Sequence, residues 1–245
     1  MCFNVGQSMK ILAVDSSGLV ASVAILEDYN LIAEYTLNYK KTHSQTLLPM
    51  VDEIVKMTET DLDTIDAIAV AKGPGSFTGL RIGTATVKGL GLALGKPVIG
   101  IPTVEGLAMN LYNTKGLICP LMDARRNQVY TGIYRFQNDQ LLVVKDQVAV
   151  GIEEIIDALN IIGEDVVFLG DGVPVYKEVI KKYAMVSYSF APAHVSKQRA
   201  GAIAMRAASY WKKGEFMDAA VFVPEYLRLS QAERERLQKQ KKEEL

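Results

Sequence analysis

The chain has 245 residues, 49% of them hydrophobic and 22% charged, which fits one large or two small folded domains and excludes disorder of the whole. Lys and Arg number 27 against 28 Asp and Glu, a net charge of −1, so there is no global basic field for autonomous nucleic-acid binding. Two cysteines, Cys2 and Cys119, cannot build a disulfide framework or a zinc site, and no apolar run reaches the roughly 18–20 residues of a membrane span.

The opening MCFNVGQSMK lacks a basic n-region and a long apolar h-region. Met1–Ser8 therefore reads as a short leader before a start at Met9, and a cytoplasmic location is expected. Lys10–Ser17 (KILAVDSS) is an apolar run that ends in a polar cluster, as a buried strand does. Val20–Leu26 and Leu31–Asn38 alternate as strands, with a turn at 27–30. In 40–59, Leu47, Met50, Val51, Ile54 and Val55 recur at helical spacing. Thr46 as N-cap would put Pro49 in the donor-free first turn of that helix. Further strands are expected at 67–71 and 96–101, and helices at 77–94 and 104–112.

From Leu117 the pattern restarts. Strands are expected at 117–123, 128–136, 141–150, 166–169 and 186–190, and helices at 152–162, 175–183 and 196–213. Each half reads β-β-β-α-β-α-β-α. Three antiparallel strands followed by βα crossovers make a mixed α/β sheet with helices on its faces. This is the topology of the ribonuclease H-like, actin-like half-domain. Two copies suggest domains at 9–113 and 114–230, with the final helix packing back on the first and a charged tail at 231–245.

The segment KGPGSFTGLRIG (72–83) joins a buried strand to a helix N-terminus. Gly73 and Gly75 allow a sharp turn with exposed amides, and Ser76 or Thr78 can cap the helix, which makes an anion site on geometry alone. It is no Walker A loop, because no Gly-Lys-Ser/Thr follows. The glycine spacing resembles a dinucleotide fingerprint, but no acidic residue ends the next strand to hold a ribose. No Gly stands two before Ser76, so it is no nucleophile elbow. The helix itself holds Gly79, Gly83, Gly89 and Gly91, each costing about 1 kcal/mol against Ala. Gly79 and Gly83 lie one turn apart, so a backbone can approach there, from the chain's own sheet or from a second chain. With small residues also at 85 and 93, an outward interface is expected at Phe77, Gly79, Arg81 and Gly83, beside Met50 and Ile54 of the neighbouring helix. Arg81 is a cation on the first turn, opposed to the helix dipole, which suggests that it fixes the Gly73–Thr78 loop or an acidic group on a partner.

Together ILAVDSS, HSQTLLP (43–49), GPGSFTGLRIG, DARRNQVYTGIY (123–134) and PEYLR (224–228) resemble the TsaB (YeaZ) family of the bacterial threonylcarbamoyladenosine machinery. The likeness runs from Met9 to about Ala232. It implies a two-domain ASKHA fold, a paralogous catalytic partner TsaD, the ATPase TsaE, self-association, and a non-catalytic platform role. Lys10, Lys40 and Lys41 form no continuous patch with Arg125 and Arg126 by sequence, so contact with tRNA is expected only through the complex, and no membrane association is expected.

The residues agree with a missing catalytic centre. The paralogue carries an HxxxH metal motif, whereas this chain has only His43 and His194, in different halves, and Leu47 stands four after His43. His43 alone reads as a helix-start or surface residue, a partner or ligand contact, or a metal ligand. Asp15-Ser16-Ser17-Gly18 stands where actin-like ATPases place a phosphate loop. Asp15 could hold a hydrated Mg²⁺ and Ser16 could reach a phosphate, or Asp15 satisfies its own turn. Gly170-Asp171-Gly172 is the candidate adenosine loop. Arg125, Arg126, Tyr130 and Tyr134 could bind phosphate or a base, or form an Asp–Arg pair on a sheet face. No tightly bound cofactor is expected, and ATP or ADP only at low affinity or at a partner interface. The alternative function is an ASKHA-fold ATPase or small-molecule phosphotransferase, which needs Gly-rich amides and a general-base Asp.

Overall fold

The computed structural model describes residues 8–39 and 42–228. The tail 231–245 and most of the Met1–Ser8 leader lie outside the described residues.

The first sheet contains β1 (Lys10–Asp15), β2 (Ala21–Glu27), β3 (Asn30–Leu37), β4 (Ala67–Gly73) and β5 (Val98–Pro102), in the order β3-β2-β1-β4-β5. β1–β2 and β2–β3 are antiparallel, and β1–β4 and β4–β5 are parallel. The period of two along β1 decides what each face buries. Leu12 and Val14 join Leu47, Val51 and Ile54 of α1 (His43–Met57) and Val87 of α2 (Phe77–Leu94). Ile11 and Ala13 join α6 (Ala200–Lys212), whose Ala200, Ala204, Ala207 and Ala208 let it lie close on the opposite face.

The second sheet repeats the plan with β6 (Leu117–Asp123), β7 (Gln128–Gln137), β8 (Gln140–Gly151), β9 (Val166–Leu169) and β10 (Tyr188–Phe190), in the order β10-β9-β6-β7-β8. α4 (Ile152–Ile162) and α5 (Val173–Tyr183) cover one face through Ile155, Ile156, Leu159, Tyr176 and Ile180. The other face is covered by α3 (Thr103–Met109), whose Val104, Leu107 and Ala108 pack on Ile118, Met122, Tyr134 and Leu169. So each half lends its last helix to the other: α3 lies on the second sheet and α6 on the first. The two helices are joined by a buried ion pair, Arg206 Nε donating to Glu105 Oε2 at 2.6 Å, with Tyr210 Oη donating to the same oxygen at 3.2 Å.

Several sequence expectations shift. Thr42, not Thr46, is the N-cap of α1, so Pro49 sits in the second turn and removes one backbone bond there. α6 starts at Ala200 rather than near 196 because Arg199 is held extended, its guanidinium paired with Glu34. The first amides of α6 are taken by the sheet: Ala200 N donates to Ser22 Oγ at 2.9 Å and Gly201 N to Glu34 Oε1 at 2.8 Å.

Candidate functional site

The central strands β1, β4, β6 and β9 end at one cleft between the halves, of about 600 Å³, the position at which open α/β sheets place ligands. The loop after β1, the start of α2, the β6–β7 turn, the β9–α5 turn and residues 225–228 line it.

The first hairpin spends its polar groups on itself. Asp15 Oδ1 accepts from Ser17 N at 2.9 Å and from Ser17 Oγ at 2.6 Å. Ser16 Oγ donates to the Gly79 carbonyl at 2.9 Å, and the Ser17 carbonyl accepts from Ser76 N at 2.7 Å. Asp15 therefore satisfies its own turn, and the hydroxyl of Ser16 faces α2 instead of the cleft. Ser76 caps α2, accepting from Gly79 N at 3.3 Å. Thr78 is exposed on the first turn. His43 is the first residue of α1, and its Nε2 donates to the Gly18 carbonyl at 2.8 Å.

Burial pushes the Asp15 carboxyl up to about 6, against the lowering pull of Ser17 and His43. Folding thus favours the protonated form. Its contribution to stability is present below about pH 4 and is lost as pH rises through about 6. The stability difference between wild type and Asp15→Asn, followed by urea unfolding, is expected to move against wild type by on the order of 3 kcal/mol between about pH 4 and pH 7. A difference flat in pH would show that Asp15 ionises freely.

The second half behaves alike. Gly170 N donates to the Ser196 carbonyl and Gly172 N to the Leu121 carbonyl, at 2.8 and 2.9 Å. Asp171 Oδ1 accepts from Asp123 N at 3.3 Å, and burial pushes its carboxyl up. Asp123 pairs with Arg125 Nη1 at 3.1 Å and accepts from Tyr176 Oη at 3.1 Å. Tyr130 lines the cleft, whereas Tyr134 is buried in the core. Among the described residues no group of three His, Cys, Asp or Glu side chains is placed to hold a metal ion. The Ser16 hydroxyl and the amides of Ser76, Gly170 and Gly172 are thus bonded within the chain.

The outward interface expected on α2 is corrected in part. Gly79 and Gly83 face inward: a Cβ on Gly79 would run into the Ser16 carbonyl oxygen, and one on Gly83 would meet Ser16 Oγ. Ile54 is wholly buried in the core and Met50 packs against it. Arg81 is answered within the chain by aromatic groups. Its guanidinium lies 3.9 Å from the Phe77 ring centroid and its Nε donates to Tyr226 Oη at 3.4 Å. The side of α2 that does face solvent carries Ala85, Gly89, Leu92 and Ala93. Beside it, an apolar groove of about 480 Å³ between α1 and α2 is lined by Leu48, Pro49, Val55, Leu62 and Leu90.

Sequence reasoning missed the role of residues 217–228. Met217 bridges to Val98, Phe222 is buried under α2, and Lys88 Nζ donates to the carbonyls of Ala220 and Phe222 at 2.8 and 3.0 Å. Glu225 Oε2 pairs with Lys72 Nζ at 3.1 Å, and Arg228 Nη1 donates to the Ala124 carbonyl at 2.6 Å. The segment PEYLR carried the signal, but its hydrogen-bond partners are more than 75 positions away.

A family model described as TsaD, tRNA N6-adenosine threonylcarbamoyltransferase, matches residues 30–236. The tRNA threonylcarbamoyladenosine biosynthesis protein TsaB of Bacillus subtilis is 34% identical over 95% of this chain and all of its own length. The chain belongs to the TsaB family. The Escherichia coli TsaB is 37% identical over 52% of this chain and 55% of its own. A solved structure titled YeaZ from Pseudomonas aeruginosa superposes with TM-score 0.76 at 27% identity, covering 89% of this chain and all of that one. A polyphosphate/ATP-glucomannokinase from Arthrobacter, at TM-score 0.50 and 8% identity, shares the fold alone. Family and fold together place this TsaB-family chain in the biosynthesis of tRNA threonylcarbamoyladenosine, on the ASKHA architecture of two ribonuclease H-like halves. Among the described residues no helix is long and apolar enough to cross a membrane.

Proposed function

We propose that this chain is the non-catalytic platform subunit of cytoplasmic tRNA threonylcarbamoylation. It docks on a TsaD-type catalytic paralogue, joins a complex with the ATPase TsaE, meets tRNA only through that complex, and pairs with itself when alone. The observation that carries this reading is the solvent-facing side of α2 together with the apolar groove beside α1. Small side chains at 85, 89 and 93 let a partner helix approach closely, and Leu48 and Leu92 stand 55% and 59% exposed at its edges. The internally bonded cleft supports the absence of turnover. A homodimer and the paralogue complex would then compete for one face.

Gly89→Arg tests the docking face without touching the core, because among the described residues no atom lies within 4 Å of where its Cβ would stand. The variant is expected to melt at or above the wild-type temperature, since Arg is the better helix former. It should weaken both self-association and paralogue binding at least ~10-fold, seen by sedimentation and calorimetry. Normal association by a well-folded variant would put the interface elsewhere. ATP turnover by the purified chain at an enzyme-like ~1 s⁻¹ or faster would favour the phosphotransferase alternative.

A further inference from the structure

The polypeptide passes between the two halves twice, where β5 runs directly into α3 at Pro102–Thr103 and at 191–199 between β10 and α6. The end of α3 lies against the second crossing, with Asn110 Nδ2 donating to the Lys197 carbonyl at 2.7 Å. The helices they serve are pinned by the buried Arg206–Glu105 pair. Two crossings tied together through α3 and α6 supply a hinge of the clamshell kind, about which the cleft can widen. Across the mouth of the cleft, away from the hinge, a further non-covalent link ties the halves.

That link is the end of the strap that follows the buried anchor Phe222. Residues 223–228 have no helix or strand of their own. On the first half, Glu225 N donates to the Lys72 carbonyl at 2.7 Å, its carboxylate pairs with Lys72 at 3.1 Å, and the Tyr226 ring lies 4.7 Å from that of Phe77. On the second half, Gln147 Nε2 of β8 donates to Glu225 Oε1 at 3.3 Å, and Arg228 Nη1 donates to the Ala124 carbonyl at the end of β6 at 2.6 Å. Glu225 thus touches both halves at once. We propose that residues 223–228 are a latch that clasps the two halves across the cleft and controls its opening.

The latch is built to release. Glu225, Tyr226 and Arg228 are all partly open to solvent, and the Lys72–Glu225 pair is 31% and 41% exposed, so water can take over each contact as it breaks. Opening leaves Phe222, the crossings and the Arg206–Glu105 pair intact. It would uncover groups that are now partly covered in the cleft, among them Asp171 and Asp123. The grip also runs through α2, because Arg81 holds Tyr226 and Lys88 holds the carbonyls beside Phe222.

The test is electron-spin distance measurement on the full chain, with labels at cysteines replacing exposed Glu53 of α1 and Glu154 of α4, in a Cys2→Ser background. Cys119 is buried and its thiol is pushed up to about 12, so it stays unlabelled. The double variant Glu225→Ala/Arg228→Ala should move the distance distribution outward and broaden it. High salt should do the same to the wild-type latch, and amide exchange should quicken at 74–79 and 122–126. Should the double variant fold poorly by circular dichroism, Arg228→Ala alone, which removes one rim contact, carries the same expectation in weaker form. Lys181→Ala, which breaks an exposed pair on α5, should leave the distribution unchanged. A distribution that stays fixed in the latch variants and in high salt, or that Lys181→Ala widens equally, overturns the proposal.

Discussion

Arg206→Ala is expected to lower the free energy of unfolding by about 3–5 kcal/mol, the usual cost of leaving one charge of a buried pair alone. The side chains of Arg206 and Glu105 are 11% and 9% exposed, so water cannot replace the missing guanidinium. Glu105 keeps only the Tyr210 hydroxyl, at 3.2 Å, and it lies close enough to Tyr134 to help raise that phenol's pKa. The pair joins the two exchanged helices, so its loss should also loosen one half against the other. Urea unfolding of Arg206→Ala beside Arg206→Met/Glu105→Gln separates the causes. The double variant removes the charge from both sides and should recover most of the stability. Equal losses in both would mean that the packing of α3 on α6, not the stranded carboxylate, dominates.

Gly79→Leu is expected to cost about 3 kcal/mol or more, and even Gly79→Ala should destabilise. A Cβ at this position collides with a backbone carbonyl, that of Ser16, which cannot swing aside as a side chain would. The same approach positions the Ser16 hydroxyl on the Gly79 carbonyl and the Ser17 carbonyl on Ser76 N, so the whole β1–α2 junction moves with it. Gly89→Ala, ten residues on in the same helix and open to solvent, should instead stabilise by about 1 kcal/mol. Thermal unfolding of both variants reads the contrast directly. Two glycines of one helix would then respond with opposite signs. Equal responses would remove the inward-facing assignment of Gly79.

The same helix shows how far the sequence could be read. Its limits at Phe77 and Leu94 were legible because Ser76 caps one end and Gly95, in left-handed conformation, closes the other. Both repeats of three antiparallel strands and two crossovers were legible from the alternation of apolar residues. The direction in which Gly79 and Gly83 face was not. A glycine permits close approach on either side, and only tertiary packing says that the approaching backbone is the chain's own hairpin. Arg81 was singled out as a cation in an unfavourable place, and what answers it is the Phe77 ring and the hydroxyl of Tyr226, 145 positions away. Ile54 was legible as buried, since Leu47, Val51 and Ile54 recur at i, i+4 and i+7 and Leu48 falls off that stripe, so its place on an outward interface ran against the spacing. The exchange of α3 and α6 between halves was partly legible in the final helix, whereas α3 gave no sign that it would cross.

Reconstituted tRNA modification tests the central claim most directly. Unmodified tRNA would be incubated with a TsaD-type subunit, TsaE, the threonylcarbamoyl-adenylate synthase, ATP, threonine and bicarbonate, and modified adenosine counted by mass spectrometry. The chain is expected to be required for product, to give none when it replaces the TsaD-type subunit, and to lose its effect in the well-folded Gly89→Arg variant. Full modification without the chain, or product from the chain in place of the TsaD-type subunit, would contradict the account.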